Sequence, residues 1–313
     1  MPEKRIVLRN CGVIDPKNII TYVDRDGFKA LKKALGEMTQ EQVIDEIKAS
    51  GLRGRAGAGF PCGLEWELAR KAQGDEKYVI GNADEGEVGT FKDRYILERD
   101  PFTLIEAMAI AGYAIGAKRS YIYLRAEYHL LELLANATAQ AKEKGFLQHF
   151  DIDIREDAGP YVYGEESALM DSIEGKRGEV RFRPPFPPSK GLWGKPTVIN
   201  NVETLMNIPQ IIHNGAHWFS QLGTEQSKGT KVFSVSGDVK KPGVYELVLG
   251  SSLKELVEEL ALAEKVKMVQ VGGATGRSSR PRGHSSHIAF ESILGTGAIT
   301  VFDESRDIID IVY

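Results

Sequence analysis

Y-V-I-G-N-A-D-E-G-E-V-G-T-F, residues 78–91, is the stretch on which the fold turns. Tyr78 to Ile80 is a short apolar run. At Gly81 it gives way to a loop carrying Asn82, Asp84, Glu85 and Glu87. A strand that ends in clustered amides and acids delivers them to the carboxyl edge of a sheet, where open α/β folds place their ligands. Taken alone, such a loop is also an ordinary solvated turn. Moving outward, Leu64 to Gln73 reads as a helix, Pro101 to Gly116 as a long apolar helix and Ser120 to Leu124 as a strand. Glu132 to Lys144 reads as an amphipathic helix ended by Gly145, and Asp151 to Arg155 as another strand. Strands alternating with helices at this spacing predict an α/β fold with a parallel sheet flanked by helices. T-V-I-N-N-V-E, residues 197–203, repeats the pattern of an apolar strand followed by polar groups, here Asn200 and Asn201. Two strand ends of this kind predict a crevice suited to a ribityl chain, a ribose or a heteroaromatic edge.

The flanks add special segments. Arg5 to Leu8 reads as a short strand, and Asp26 to Leu35 and Thr39 to Ser50 as helices. Thr39 with Glu41 and Gln42 makes an N-cap and an acidic first turn, and Gly51 a left-handed end. G-L-R-G-R-A-G-A-G-F-P-C-G, residues 51–63, has five glycines in thirteen positions, too many for a helix or strand. Such a loop can cradle a phosphate, with Arg53 and Arg55 adding charge. A plain tight connection fits equally well, because no clean strand precedes it. Between 159 and 172, Gly164 opens a helix with Glu165 and Glu166 in its first turn, where acid suits the dipole. R-F-R-P-P-F-P-P-S, residues 181–189, reads as extended. Beyond Gln226 the composition shifts. Lys231 to Ser236, a turn at 241–243, Val244 to Leu247, a helix Ser252 to Leu260, Val266 to Val271, Ala298 to Phe302 and Ile308 to Val312 form a small β-grasp-like pattern. Three units follow: an α/β lead-in (1–60), a Rossmann-like unit (61–226) and a β-grasp unit (227–313).

The chain is 27% charged and 42% hydrophobic, with a net charge of −4. The acidic balance argues against nucleic-acid binding, which needs a basic face. No run reaches the ~20 apolar residues of a membrane span. The most apolar stretch, Leu104 to Ala117, carries Glu106. The N-terminus mixes charges with short apolar pieces, unlike a signal peptide, so the expected location is cytoplasmic. Cys11 and Cys62 are the only cysteines and cannot supply the four thiolates of an ordinary iron–sulfur cluster. His284 and His287, in H-S-S-H, read as a solvated loop. His213 and His217 read as surface or capping residues. No metal site is predicted.

Together these stretches resemble the NADH-binding flavoprotein subunit of respiratory complex I, a family that includes subunits of NAD-linked hydrogenases and formate dehydrogenases. Four motifs carry the resemblance, in order and at matching spacing: residues 51–61; G-N-A-D-E-G-E-V-G-T-F-K-D-R at 81–94; Y-V-Y-G-E-E-S-A-L at 161–169 with S-I-E-G-K-R-G at 172–178; and P-P-F-P, G-L-W-G-K-P-T and N-N-V-E-T within 184–204. The resemblance implies a modified Rossmann-like flavin domain followed by a ubiquitin-like β-grasp domain. It implies FMN, with FAD as the alternative, held by Gly54, Arg55 and Gly57; by Asn82, Asp84 and Glu85; by Tyr161, Gly164, Glu165 and Glu166; and by Ile199, Asn200, Asn201 and Thr204. For NAD(H) it implies Phe60 and Phe186 near adenine, and Glu87 and Glu166 near the riboses. Hydride exchange with a flavin needs no protein nucleophile, so Glu85 and Glu166 are expected to orient the reacting pair and tune local charge. Electrons are expected to pass to iron–sulfur subunits, including a thioredoxin-like 2Fe–2S protein, without membrane insertion.

Several positions depart from the family. Its phosphate-binding lysine in G-L-K-W is Glu65 here, a reversal that Arg53, Arg55 or Lys71 is expected to offset. On that view Glu65→Lys tightens FMN binding. A usual glycine is Ala56, a usual cysteine Tyr163, a usual threonine Cys62, and a second adenine-side aromatic is Leu68. The sequence stops at Tyr313, about where the family continues into a 4Fe–4S helical domain. Two alternatives stay open. One is a scaffold subunit that has lost flavin. The other is the same chemistry run as NAD⁺ reduction for a formate-, aldehyde- or hydrogen-oxidising partner.

Overall fold

The computed structural model describes residues 3–159, 161–274, 276–279, 287–307, 309 and 311. Its described strands form two sheets. The first contains β1 (Tyr78–Ala83), β2 (Arg119–Arg125), β3 (Asp151–Asp157) and β4 (Thr197–Asn201), in the order β3-β2-β1-β4 and parallel throughout. Helices cover both faces of β1, which is why it reads as a continuous apolar run rather than an alternating one. The register sets Asn82 beside Asn201, so the two strand ends recognised in the sequence are neighbours at the carboxyl edge.

Behind the sheet lies the helix Pro101–Ile115, buried all round. The Asp100 side chain caps it through the Thr103 amide, Pro101 occupies a first-turn position that needs no donor, and Gly116 ends it with φ 80°. Its one charge, Glu106, accepts hydrogen bonds from the Tyr22 hydroxyl, Phe28 N (2.8 Å) and Leu31 N (3.0 Å). One carboxylate thereby satisfies the orphan amides opening the helix Lys29–Glu37 and ties the N-terminal helices to the sheet's core. The helix Gln40–Ser50 starts at the Thr39 N-cap and stops at left-handed Gly51, as its sequence predicts, and the structure adds that Thr39 and Gln42 form a reciprocal capping box.

The second sheet contains β5 (Thr230–Gly237), β6 (Gly243–Val248), β7 (Val266–Val271), β8 (Arg277–Ser279) and β9 (Ala298–Asp303), in the order β6-β5-β9-β7-β8. β5 and β9 run parallel at its centre, and the flanking pairs are antiparallel. With a helix between β6 and β7, this is the expected β-grasp arrangement, and it has its own core.

Three expectations need correction. Arg5–Leu8 is a turn, not a strand. Its apolar side chains are buried, but the amides of Ile6, Val7 and Leu8 all donate to the Glu246 carboxylate on β6. The proline-rich segment is not extended throughout, since Pro187–Lys190 forms a helical turn whose prolines stand where no N–H is required. Within the strand expected at 308–312, Ile309 and Ile311 are helical; Ile308, Asp310 and Val312 lie outside the described residues, as does His284. No helix among the described residues is long and apolar enough to cross a membrane.

Candidate functional site

A cleft of about 470 Å³ opens at the carboxyl edge of the parallel sheet. Asn82, Asp84, Glu85, Glu87, Tyr161, Gly164, Glu165 and Asn201, all singled out in the sequence, line it together. Asn82 leaves the end of β1 and donates to the Gly164 carbonyl (3.0 Å), joining the second and third loops. Gly164 keeps the loops close there, since a Cβ would stand a tight 3.3 Å from the Asp84 carbonyl oxygen.

Two polar atoms of the cleft are buried with no hydrogen-bond partner: Asp84 Oδ2 and Thr296 Oγ1. Burial pushes the Asp84 carboxyl up to about 6, against the opposing pull of Arg125. Glu85 lies deeper. It accepts from the amides of Asp93 (3.1 Å) and Arg94 (3.2 Å) and from the Tyr128 hydroxyl (2.9 Å), so it caps the helix Lys92–Arg99 from outside. Burial and the Asp93 charge push it up to about 7. Glu87 sits at the rim and accepts from the Tyr161 hydroxyl at 2.9 Å. Glu165 caps the helix Glu166–Ile173 through Ser167 N (2.9 Å) and Ala168 N (3.1 Å). Arg183 pairs with both Glu165 and Glu166, and Glu166 does not line the cleft.

The floor is charged. Lys92 reaches Asp93 at 2.8 Å, Glu203 at 3.0 Å and Asn201 Oδ1 at 3.4 Å, and Lys231 on β5 reaches Glu203 at 2.6 Å. All four ions are buried. Lys92 and Asp93 belong to the quoted motif at 81–94 but were not singled out, and both line the cleft. Nothing in the sequence pointed to Thr296, more than two hundred residues from β1.

The remaining expected residues lie around the cleft rather than on its lining. From the glycine-rich loop only Ala56 reaches it. Arg55 donates its amide to Thr204 Oγ1 (2.9 Å) and its guanidinium to the Lys228 carbonyl (2.6 Å), so it anchors the loop. Gly57 turns that loop at φ 119°, and the Gly54 amide donates to the Phe60 carbonyl at 2.9 Å. Phe60, Leu68 and Phe186 are half exposed, and the helix Pro187–Lys190 after Phe186 packs on the helix Cys62–Lys71 that carries Leu68.

The Glu65 expectation is corrected outright. Glu65 meets none of Arg53, Arg55 or Lys71. Its carboxylate accepts from Ile199 N (3.0 Å) and Asn200 Nδ2 (2.7 Å), while Asn200 Oδ1 accepts from Trp66 Nε1 (2.8 Å). β4 is an edge strand, and Glu65 supplies the acceptor that a further strand would have given Ile199. Burial holds this carboxyl up at about 7. A lysine at 65 would set an ammonium donor against two donors, so Glu65→Lys is expected to loosen the β4 edge.

Residues 47–210 match the Nuo51 FMN-binding domain and residues 232–261 the SLBB domain. The chain is 45% identical to an NADH-quinone oxidoreductase subunit of Rhizobium meliloti, over 96% of its own length and 76% of the relative's. It is 46% identical to an NADP-reducing hydrogenase subunit of Solidesulfovibrio fructosivorans, over 96% of its own length and 65% of the relative's. A crystal structure of an NAD+-reducing [NiFe]-hydrogenase in the air-oxidized state superimposes with TM-score 0.86 at 38% identity, covering 99% of this chain and 53% of that one. The chain therefore spans about half to three quarters of these proteins.

Proposed function

The chain belongs to the Nuo51 FMN-binding family of NAD-linked oxidoreductase subunits, and from that premise we propose that its cleft holds one non-covalent FMN. In this reading the protein is an NADH dehydrogenase flavoprotein subunit, exchanging hydride between NAD(H) and flavin and passing single electrons to iron–sulfur subunits. A thioredoxin-like 2Fe–2S protein and a cytoplasmic location are part of the same proposal. So is the division into an α/β lead-in (1–60), a Rossmann-like flavin and NADH unit (61–226) and a β-grasp unit (227–313). When bound, the flavin supplies the two-electron and one-electron chemistry.

The observation that carries the reading is the pair of unpartnered buried polar atoms, Asp84 Oδ2 and Thr296 Oγ1, inside a cleft built by the matched loops. Buried polar atoms of folded proteins rarely lack partners, so these two call for a ligand with polar groups on both sides. The protein's own share is positioning. Asn82 and Asn201 fix the two strand ends, Glu85 and Glu165 cap the helices that frame the cleft, and Lys92 holds positive charge beneath it. The direction of electron flow is not set by these groups.

The test is titration of purified protein with FMN and with FAD, followed by flavin fluorescence quenching. One FMN per chain, bound more tightly than FAD, is expected. Tighter FAD would overturn the FMN assignment. Absence of any flavin binding would leave the scaffold alternative, which Glu65 in place of the phosphate lysine favours.

A further inference from the structure

The cleft is not built by the parallel-sheet unit alone. The β-grasp segment before β9 reaches across to the glycine-rich loop. The Phe290 ring lies 4.1 Å from the Arg53 guanidinium and 5.7 Å from that of Arg55, and a Cβ on Gly59 would come within 2.6 Å of it. Behind it, Ser227 Oγ accepts from the Phe290 amide at 2.9 Å, and Glu291 accepts from the hydroxyls of Ser227 and Thr224. The segment is thus clasped from two sides, and six residues on it presents Thr296. Thr296 Cγ2 lies 3.7 Å from the position of a Cβ on Gly57, which places the residue at the glycine-loop end of the cleft.

Three hydroxyls line the cleft: Thr90, Tyr161 and Thr296. Thr90 donates to the Glu87 carbonyl and Tyr161 to the Glu87 carboxylate. Thr296 Oγ1 is buried and uncommitted. Arg53 donates to the Gly59 and Gln226 carbonyls, and Lys92 is enclosed by Asp93 and Glu203. Arg55 gives Nη2 to the Lys228 carbonyl and keeps Nε and Nη1 buried without partners, but it does not line the cleft. An anion entering here finds the Thr296 hydroxyl free to donate, and an alcohol O–H is a competent donor to a phosphate oxygen.

Resting on the flavin reading above, we propose that Thr296 is a cofactor-binding residue supplied by the β-grasp unit, its hydroxyl donating to the phosphate of FMN. The β-grasp unit then completes the site instead of merely adjoining it.

The experiment compares Thr296→Val and Thr296→Ser with the unmodified protein, titrating FMN and riboflavin by fluorescence quenching and recording each urea midpoint. Valine keeps the shape and removes a hydroxyl with no protein partner, so the midpoint is expected to hold. Loss of one hydrogen bond to a charged group weakens FMN about tenfold in the valine variant. Serine stays near the unmodified affinity, and riboflavin, lacking phosphate, binds all three alike. FMN affinity unchanged by valine would overturn the proposal. So would an equal loss for FMN and riboflavin, which would put the hydroxyl at the ring or ribityl chain. An unmodified protein that binds neither flavin would take down the flavin reading itself, and this residue's role with it.

Discussion

The β-grasp unit is joined to the rest of the chain at two buried junctions built on opposite principles. At the outer one, a single carboxylate, Glu246, accepts from Ile6 N (2.9 Å), Val7 N (3.0 Å), Leu8 N (2.9 Å) and the Thr230 hydroxyl (2.5 Å). Among these partners there is no cation, and burial pushes the acid up to about 7. At the inner one, two lysines face two acids. Burial pushes Glu203 up, but Lys231 and Lys92 outweigh it and hold the carboxyl below its ordinary range. Burial lowers Lys231 to about 8. The outer junction satisfies backbone donors and can become neutral. The inner one keeps its charges and shares Lys92 and Asp93 with the cleft. Damage outside should therefore cost stability alone, whereas damage inside should cost stability and ligand affinity together.

The largest effect is expected at Glu203. Glu203→Gln leaves Lys92 and Lys231 buried with Asp93 and, toward Lys92, Glu85 as the remaining acids, and removing one partner of a buried ionic network costs about 3–5 kcal/mol. Urea unfolding measures the loss, and flavin titration should show weaker binding in the same variant. A loss near the ~1 kcal/mol of an exposed pair would break the contrast.

At the outer junction, Glu246→Gln turns one acceptor oxygen into a donor facing backbone N–H groups, at a cost of about 2 kcal/mol. Flavin affinity should hold. The pH dependence sharpens the point. The folded carboxyl titrates at about 7 against an ordinary 4.5, so the folded chain keeps its proton longer than the unfolded one. Its stabilising contribution is fully present below 4.5 and is lost as pH rises through about 7. Unfolding between about pH 5 and about pH 8 should show a shallower decline in the glutamine variant than in the unmodified protein. Glu65 and Glu85 are raised in the same sense and keep the decline from vanishing.

These junctions mark the boundary of what the sequence discloses. Periodicity and local chemistry are legible: the Thr39 N-cap, the Gly51 stop, the parallel strands and the β-grasp order all follow from residues close in the chain. Eight of the expected site residues converge on one cleft because strand ends place them there. Long-range pairing is not legible. Ile6 to Leu8 has a strand's apolar composition, yet its donors go to an acid 238 to 240 positions away. Glu65 reads as a misplaced charge until the open edge of β4 is seen beside it. Thr296 carries no motif at all and matters only because the β-grasp turn folds over Gly57.

The smallest effect concerns the rim, where the junction meets solvent. Glu87 accepts from the Tyr161 hydroxyl on one side and lies against Gly273 of the β-grasp unit on the other. A Cβ on Gly273 would stand 2.0 Å from Glu87 Oε1, so the close approach depends on that glycine. The carboxylate is held in place from both units and still faces the cleft. There it can accept from ribose hydroxyls but repels a 2′-phosphate. Family membership does not decide this preference, since one relative is named for NADH and another for NADP. Glu87→Gln keeps the shape and the acceptor for Tyr161 while removing the charge. Relieving one partly screened like-charge contact is worth about 1 kcal/mol, or roughly fivefold. The ratio of kcat/KM for NADPH over NADH should rise by that factor, with the urea midpoint unchanged. A ratio that does not move would mean the Glu87 charge lies too far from the ribose to be felt. The inner junction would then reach the cofactors only through its floor, at Lys92 and Asp93, and not through its rim.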